Sequence, residues 1–220
     1  MPSRPGFQLD FEVSMLRSIA ELFPSSNVKG CAFHFSQCLW RKVQDLGICR
    51  YYDDPLVKKF IRCAGALALV PLSQIDSAWL EIDGESPPSD HPAYSALEDS
   101  KKYFINTWLE NGAVFPRYLW NHFGNFGTRT TNHLEGWHQA LNRGLGRAHV
   151  NIFEMVSHLQ KIEKDFKTQM LFLSMGRAPK PAKKKYVKAN ERLMRLVTQF
   201  ESNQITLIEY VQKVGFNLKS

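Results

Sequence analysis

The sequence predicts an α/β protein that is predominantly helical. Three observations carry this. Two short apolar segments near the start, around Phe7–Asp10 and Val28–Phe33, have strand character. From Tyr51 onward the apolar residues recur at helical spacing almost throughout. The 220 residues are 44% hydrophobic and 12% aromatic, the content of a folded chain with a sizeable core.

The elements follow in order. Phe7-Gln8-Leu9-Asp10 reads as the end of a strand. A helix then carries Phe11, Met15, Ile19, Leu22 and Phe23 until Pro24 stops it. Val28 to Phe33 reads as a second strand, with Gly30 allowing close approach. The next helix holds Cys38, Leu39, Val43 and Leu46 and ends at Gly47. Asp54-Pro55 is a cap followed by proline at the first helical position. Phe60, Ile61, Ala64, Leu67 and Ala68 form the buried stripe of that helix. Ser73 is placed to cap a short helix with Ile75, Ala78, Trp79 and Ile82. Gly84, Pro87, Pro88 and Pro92 mark a loop.

A helix from about 93 to 110 presents Leu97, Phe104, Ile105 and Trp108, and Gly112 follows it. Val114 to Thr130, aromatic and glycine-rich, reads as an ordered loop. The helix with Glu135 runs to about Gly144. Asn151 can cap a long helix striped with Ile152, Met155, Leu159, Ile162, Phe166, Met170 and Leu173. That regularity predicts packing along the whole length or a partner helix, including a homodimer through 152–173. A basic helix, roughly 182–200, and a short one at 207–214 close the chain. Two strands cannot make a stable sheet on their own, so either further strands pair with them from elsewhere or the chain is part of a larger fold.

Composition narrows the function classes. No apolar run is long enough to cross a bilayer. The start, Met1-Pro2-Ser3-Arg4-Pro5-Gly6, has no secretory signal core. Cys31, Cys38, Cys49 and Cys63 form no CxxC pair, and a reduced intracellular setting is the simplest expectation. The net charge is +7. Residues 149–220 hold 13 Lys and Arg against 6 Asp and Glu, whereas residues 1–148 balance at 15 against 15. A basic annex on a neutral body suggests a polyanion, with nucleic acid first, or else a solvated helical face. Lys180, Lys183, Lys184 and Lys185, extended by Arg177, Lys188, Arg192 and Arg195, suit a phosphate contact or a nuclear-localisation signal; a solvated loop is the bland alternative.

The candidate chemistry lies in three places. Asp10 sits at a strand end and Glu135 in the first turn of a distant helix. Carboxylates converging from separate elements are what a two-metal phosphoryl-transfer site requires. Locally, Asp10 also reads as a helix N-cap, and Glu135 as the third residue of a capping box begun by Asn132. Cys31-x-x-His34 has zinc-ligand types, but a closed site needs four ligands and no second pair stands at matching spacing. Structural zinc is therefore not expected. On a continuing strand Cys31 and His34 face opposite sides; they converge only if a helix starts near Phe33. The alternative is a buried Cys31 beside an orienting His34. His138 can share a helical face with Glu135 and touch a phosphate or orient a carboxylate. Asn132 and Asn142 can bind phosphate or face solvent. Trp137 and Leu141 read as core.

Taken together, Leu9-Asp10-Phe11-Glu12, Phe23-Pro24, Gly30-Cys31-Ala32-Phe33-His34-Phe35, Thr131-Asn132-His133-Leu134-Glu135-Gly136-Trp137-His138 and Arg147-Ala148-His149 resemble Mutator-like element (MULE) transposases over about residues 7–175. The resemblance implies the later part of an RNase H-like core. Residues 1–50 would hold its second Asp and Cys-x-x-His region, and 51–128 a helical insertion and loop. Residues 129–148 would be the core helix with the Glu, and 149–220 a basic helical region. It implies metal-dependent DNA cleavage and strand transfer with Mg²⁺ or Mn²⁺, in the nucleus. Asp10 and Glu135 would be the metal-binding catalytic carboxylates, and Cys31 and His34 the family's Cys-x-x-His signature. The first catalytic Asp of the pattern has no counterpart among the nine residues before Asp10, none of which is acidic. Whether the chain is an enzyme is therefore open, and a non-enzymatic DNA-binding or helical interaction protein of transposase descent is the alternative. The expectation is that this polypeptide alone catalyses no strand transfer. A metal-dependent DNA cleavage assay showing turnover that Glu135→Ala abolishes is the contrary result.

Overall fold

The computed structural model describes residues 6–127, 129–147, 149–178, 181 and 183–217. The side chains of Asn132 and His133 also lie outside the description, as does Lys180. The fold is predominantly helical, with one two-stranded parallel sheet among the described residues. Two compact units divide it: residues 1–131 with 188–220, and residues 132–187.

The first unit begins with β1 (Gly6–Leu9), α1 (Val13–Leu22) and β2 (Asn27–Gly30). The strands pair in parallel, with Leu9 opposite Gly30. Gly30 is required there, because a Cβ would collide with the Phe11 ring. α2 (Ala32–Asp45) follows with Cys31 at its N-cap, so the second strand is shorter than the expected 28–33. The reason is local. Cys31 N–H still completes the ladder by donating to Leu9 O at 2.7 Å, and Cys31 O already accepts from Phe35 N at 2.9 Å. Asp10 does not cap α1; Glu12 holds the N-cap position. Gly47 takes the left-handed conformation (φ 69°) that ends α2.

The helical body is α3 (Pro55–Ala66), α4 (Ile75–Gly84), α5 (Tyr94–Phe104), α6 (Arg117–Trp120), the unit's part of α9 (Lys184–Glu201), and α10 (Leu207–Asn217). The Asp54 carboxylate accepts from Leu56 and Val57 N–H, the cap its sequence position predicts, and these backbone bonds hold its pKa below the usual value. Ser73 caps nothing; it falls in a 3₁₀ turn (Leu72–Gln74) that precedes α4. The helix expected over 93–110 widens instead into a π turn at Ile105–Leu109, closed by Glu110 N–H to Ile105 O at 3.0 Å. The wider turn carries buried Trp108 and Leu109. Within the expected loop at 114–130, α6 buries Leu119 and Trp120.

One apolar core runs from Phe35 to Val214. Phe35 stacks on Trp120 (5.0–5.1 Å contacts link it to Trp108 and Trp120), and Phe11 meets Trp108 edge-on at 4.8 Å. α10 closes the core against α3. Gly215 lies so near that a Cβ would stand 2.8 Å from Arg62 O. Tyr210, wholly buried, donates to Leu69 O at 2.6 Å.

The second unit holds α7 (Asn132–Leu145) and α8 (Ile152–Ser174). They meet where Gly144 leaves room for the His158 ring. Asn151 caps α8 by accepting from Glu154 N–H at 2.9 Å, and Arg147 bridges to Glu154 at 2.7 Å. Of the two predicted core residues on α7, Leu141 is buried and Trp137 is 41% exposed. The expected packing along all of α8 is absent: no residue of this helix is buried, and Phe153 is 81% exposed.

Candidate functional site

Parallel pairing brings the candidate residues of the first unit together. Leu9 lies opposite Gly30, so the next residues, Asp10 and Cys31, leave the carboxyl ends of adjacent strands side by side. Crevices at that end of parallel strands are where α/β proteins place ligands. Because α2 begins at Ala32, Cys31 and His34 stand one helical turn apart, on one side. His34 Nδ1 is 2.7 Å from Asp10 Oδ1. One ligand atom from each of Asp10, Cys31 and His34 lies within 4.8 Å of the others. Cys31 is fully buried, and the Asp10 side chain is 57% exposed, so the cluster opens to solvent on the Asp10 side.

A fourth residue completes the arrangement. Thr131, buried, donates its backbone N–H to Cys31 Sγ at 3.3 Å and its hydroxyl to the same sulfur at 3.4 Å. Its hydroxyl also lies 3.5 Å from Asp10 Oδ1. The Thr131 segment is tied to the start of α2, since Ala32 N–H donates to Arg129 O at 2.8 Å. Arg129 in turn donates from Nη2 to Asn190 Oδ1 at 2.7 Å, and Asn190 donates to Phe126 O. Burial lowers the pKa of Arg129.

The strand end is clamped from below. Lys29 Nζ donates to Tyr118 O and Asn121 O at 2.7 and 2.8 Å, and burial lowers its pKa. His122, buried, pairs through Nε2 with Gly30 O at 2.8 Å. A carbonyl only accepts, so Nε2 carries the proton; Asn125 Nδ2 reaches Nδ1 at 3.5 Å. Burial, opposed by this bond, lowers the His122 pKa, and the Lys29 and Arg129 charges act in the same direction as burial.

Glu135 and His138 are exposed on α7, in the second unit, together with Asn142. Lys183, Lys184, Lys185, Lys188, Arg192 and Arg195 are all exposed. The proposed roles of Asn132 and Lys180 lie outside the described side chains. Sequence reasoning missed His122 as a strand-end clamp and Thr131 as a sulfur partner. The one signal for His122 was a histidine inside an aromatic, glycine-rich stretch; Thr131 opens the Glu135 motif, but nothing in that motif points to a sulfur partner.

The donors suit some metals better than others. Mg²⁺ favours an all-oxygen shell, and of the three clustered side chains only Asp10 supplies oxygen. Nitrogen and sulfur beside one carboxylate suit a softer ion. The cluster as described does not fit a Mg²⁺ site. Compared with known protein families, with curated protein sequences and with solved structures, the chain matches none.

The buried His122 sets a pH limit. Its folded pKa lies below the ordinary 6.5, so its contribution to stability is complete above that pH and is lost as pH falls through the folded value. The urea midpoint is expected to fall on acidification below about pH 6.5, and less steeply in His122→Gln. Equal slopes in both proteins would show that another group governs this range.

Proposed function

We propose that the chain is a MULE-type transposase-derived protein that binds DNA in the nucleus. The observation that carries this reading is convergence. Asp10, Cys31-x-x-His34 and Thr131 belong to three separate motifs of the resemblance, and they meet at the carboxyl end of two parallel strands. A strand–helix–strand unit whose first strand leads into Asp10 also accords with an RNase H-like core. In this reading Asp10 and Glu135 correspond to two of that family's metal-binding carboxylates. The basic face of α9 would hold the DNA backbone. Lys184, Lys188 and Arg192 recur every fourth residue and are all exposed, while Leu193 and Val197 of the same helix are buried.

A second reading, in which α8 pairs with another copy of the chain, is favoured by one observation. Ile152, Phe153, Phe166, Met170 and Leu171 are all at least half exposed along this single 23-residue helix.

For the first reading, affinity for duplex DNA is expected to fall steeply with salt. Replacing Lys184, Lys188 and Arg192 by alanine should flatten the log–log slope by about 0.9 for each lost phosphate contact. Binding insensitive to salt, or an unchanged slope in the triple variant, would remove its support. For the second, light scattering should show a concentration-dependent dimer that Leu159→Asp dissociates. A chain monomeric at all concentrations excludes it.

A further inference from the structure

We propose that Asp10, Cys31 and His34 bind one borderline-soft divalent cation of the Zn²⁺ type, with Thr131 orienting the sulfur. The proposal stands on the geometry of the first unit and does not rest on the transposase reading. Three donors of different chemistry, a thiol, an imidazole and a carboxylate, have ligand atoms within 4.8 Å of one another. Ligand atoms on a tetrahedral Zn²⁺ are spaced well inside that limit, given bonds of about 2.0–2.3 Å. The donors come from a strand end and a helix start whose relative position is fixed by the parallel ladder, so the site needs no large rearrangement.

The environment of Cys31 suits a metal-bound thiolate. Two donors, the Thr131 N–H and hydroxyl, point at its sulfur. Such outer hydrogen bonds orient a ligand and stabilise its charge. A nucleophilic role is the competing use of a Cys, His and Asp in contact. It requires a substrate to reach the sulfur, and Cys31 is fully buried. A single ion needs far less access and can enter past exposed Asp10. On binding, the thiol gives its proton to solvent, the sulfur lone pair forms the metal bond, and the ion takes the place of the direct His34–Asp10 contact. Three protein ligands leave one position for water, the arrangement of an open rather than a closed zinc site.

The test uses the reduced, chelator-stripped 220-residue chain titrated with Co²⁺ alone. One equivalent is expected to produce a sulfur-to-cobalt charge-transfer band and visible d–d bands, which Zn²⁺ then displaces. Cys31→Ser should abolish the charge-transfer band, whereas Cys49→Ser, at an exposed thiol, should leave it intact. Thr131→Val should weaken binding by about tenfold, the low end for loss of an outer hydrogen bond. No charge-transfer band at one equivalent, or a band that survives in Cys31→Ser, overturns the proposal. If Cys31→Ser fails to fold by circular dichroism, His34→Gln and Asp10→Asn decide. Weakened Co²⁺ binding in both supports the site, and unchanged binding in either overturns it. Failure here leaves salt-dependent DNA binding unaffected, so the two readings fall separately.

Discussion

The pairing of β1 with β2 is the constraint from which the candidate site follows. Four residues per strand are too few to hold a sheet by themselves. The structure secures them from three directions. Cys31 N–H extends the ladder to Leu9 O, Lys29 and His122 bond the strand end to α6 and the segment after it, and Phe11 and Phe35 seat it on the aromatic core. The His122 bond to Gly30 O is buried, where an unmade hydrogen bond costs more than a made one contributes. With the register held, Asp10 and Cys31 emerge as neighbours.

The aromatic core and the cluster are therefore one construction. Phe35 and His34 are adjacent on α2, one buried against Trp108 and Trp120, the other turned to Asp10. The first turn of α2 thus carries both packing and chemistry. Thr131 reaches the cluster because Arg129 is fastened to Ala32 through its carbonyl and to Asn190 through its side chain. A residue far along the chain becomes part of the site through backbone hydrogen bonds that no local pattern announces.

Much of the architecture was legible in the order of residues, for identifiable reasons. Proline and capping residues act within a few positions, so the Asp54-Pro55 start and the Asn151 cap stand where expected. Gly47 likewise ends α2 through a conformation open to glycine. The misread elements are those where distant packing prevails. Ser73 yields to a 3₁₀ turn, the helix through Trp108 widens to a π turn, and the loop at 114–130 folds into α6 to bury Trp120. The α8 stripe shows the limit from the other side: its periodicity is real, yet none of its residues is buried in this chain.

The sequence determines the helical class, the Asp54 and Asn151 caps, the basic face of α9 and the residue types available for chemistry, because each is a property of neighbouring positions. Whether Cys31 and His34 face the same way was undecidable locally, since a strand separates them and a helix joins them. That choice, and the arrival of Thr131 and His122 beside them, belong to contacts across some 90 to 120 residues. Long-range hydrogen bonds and burial select one of the two local conformations, and with it the set of donors that can meet.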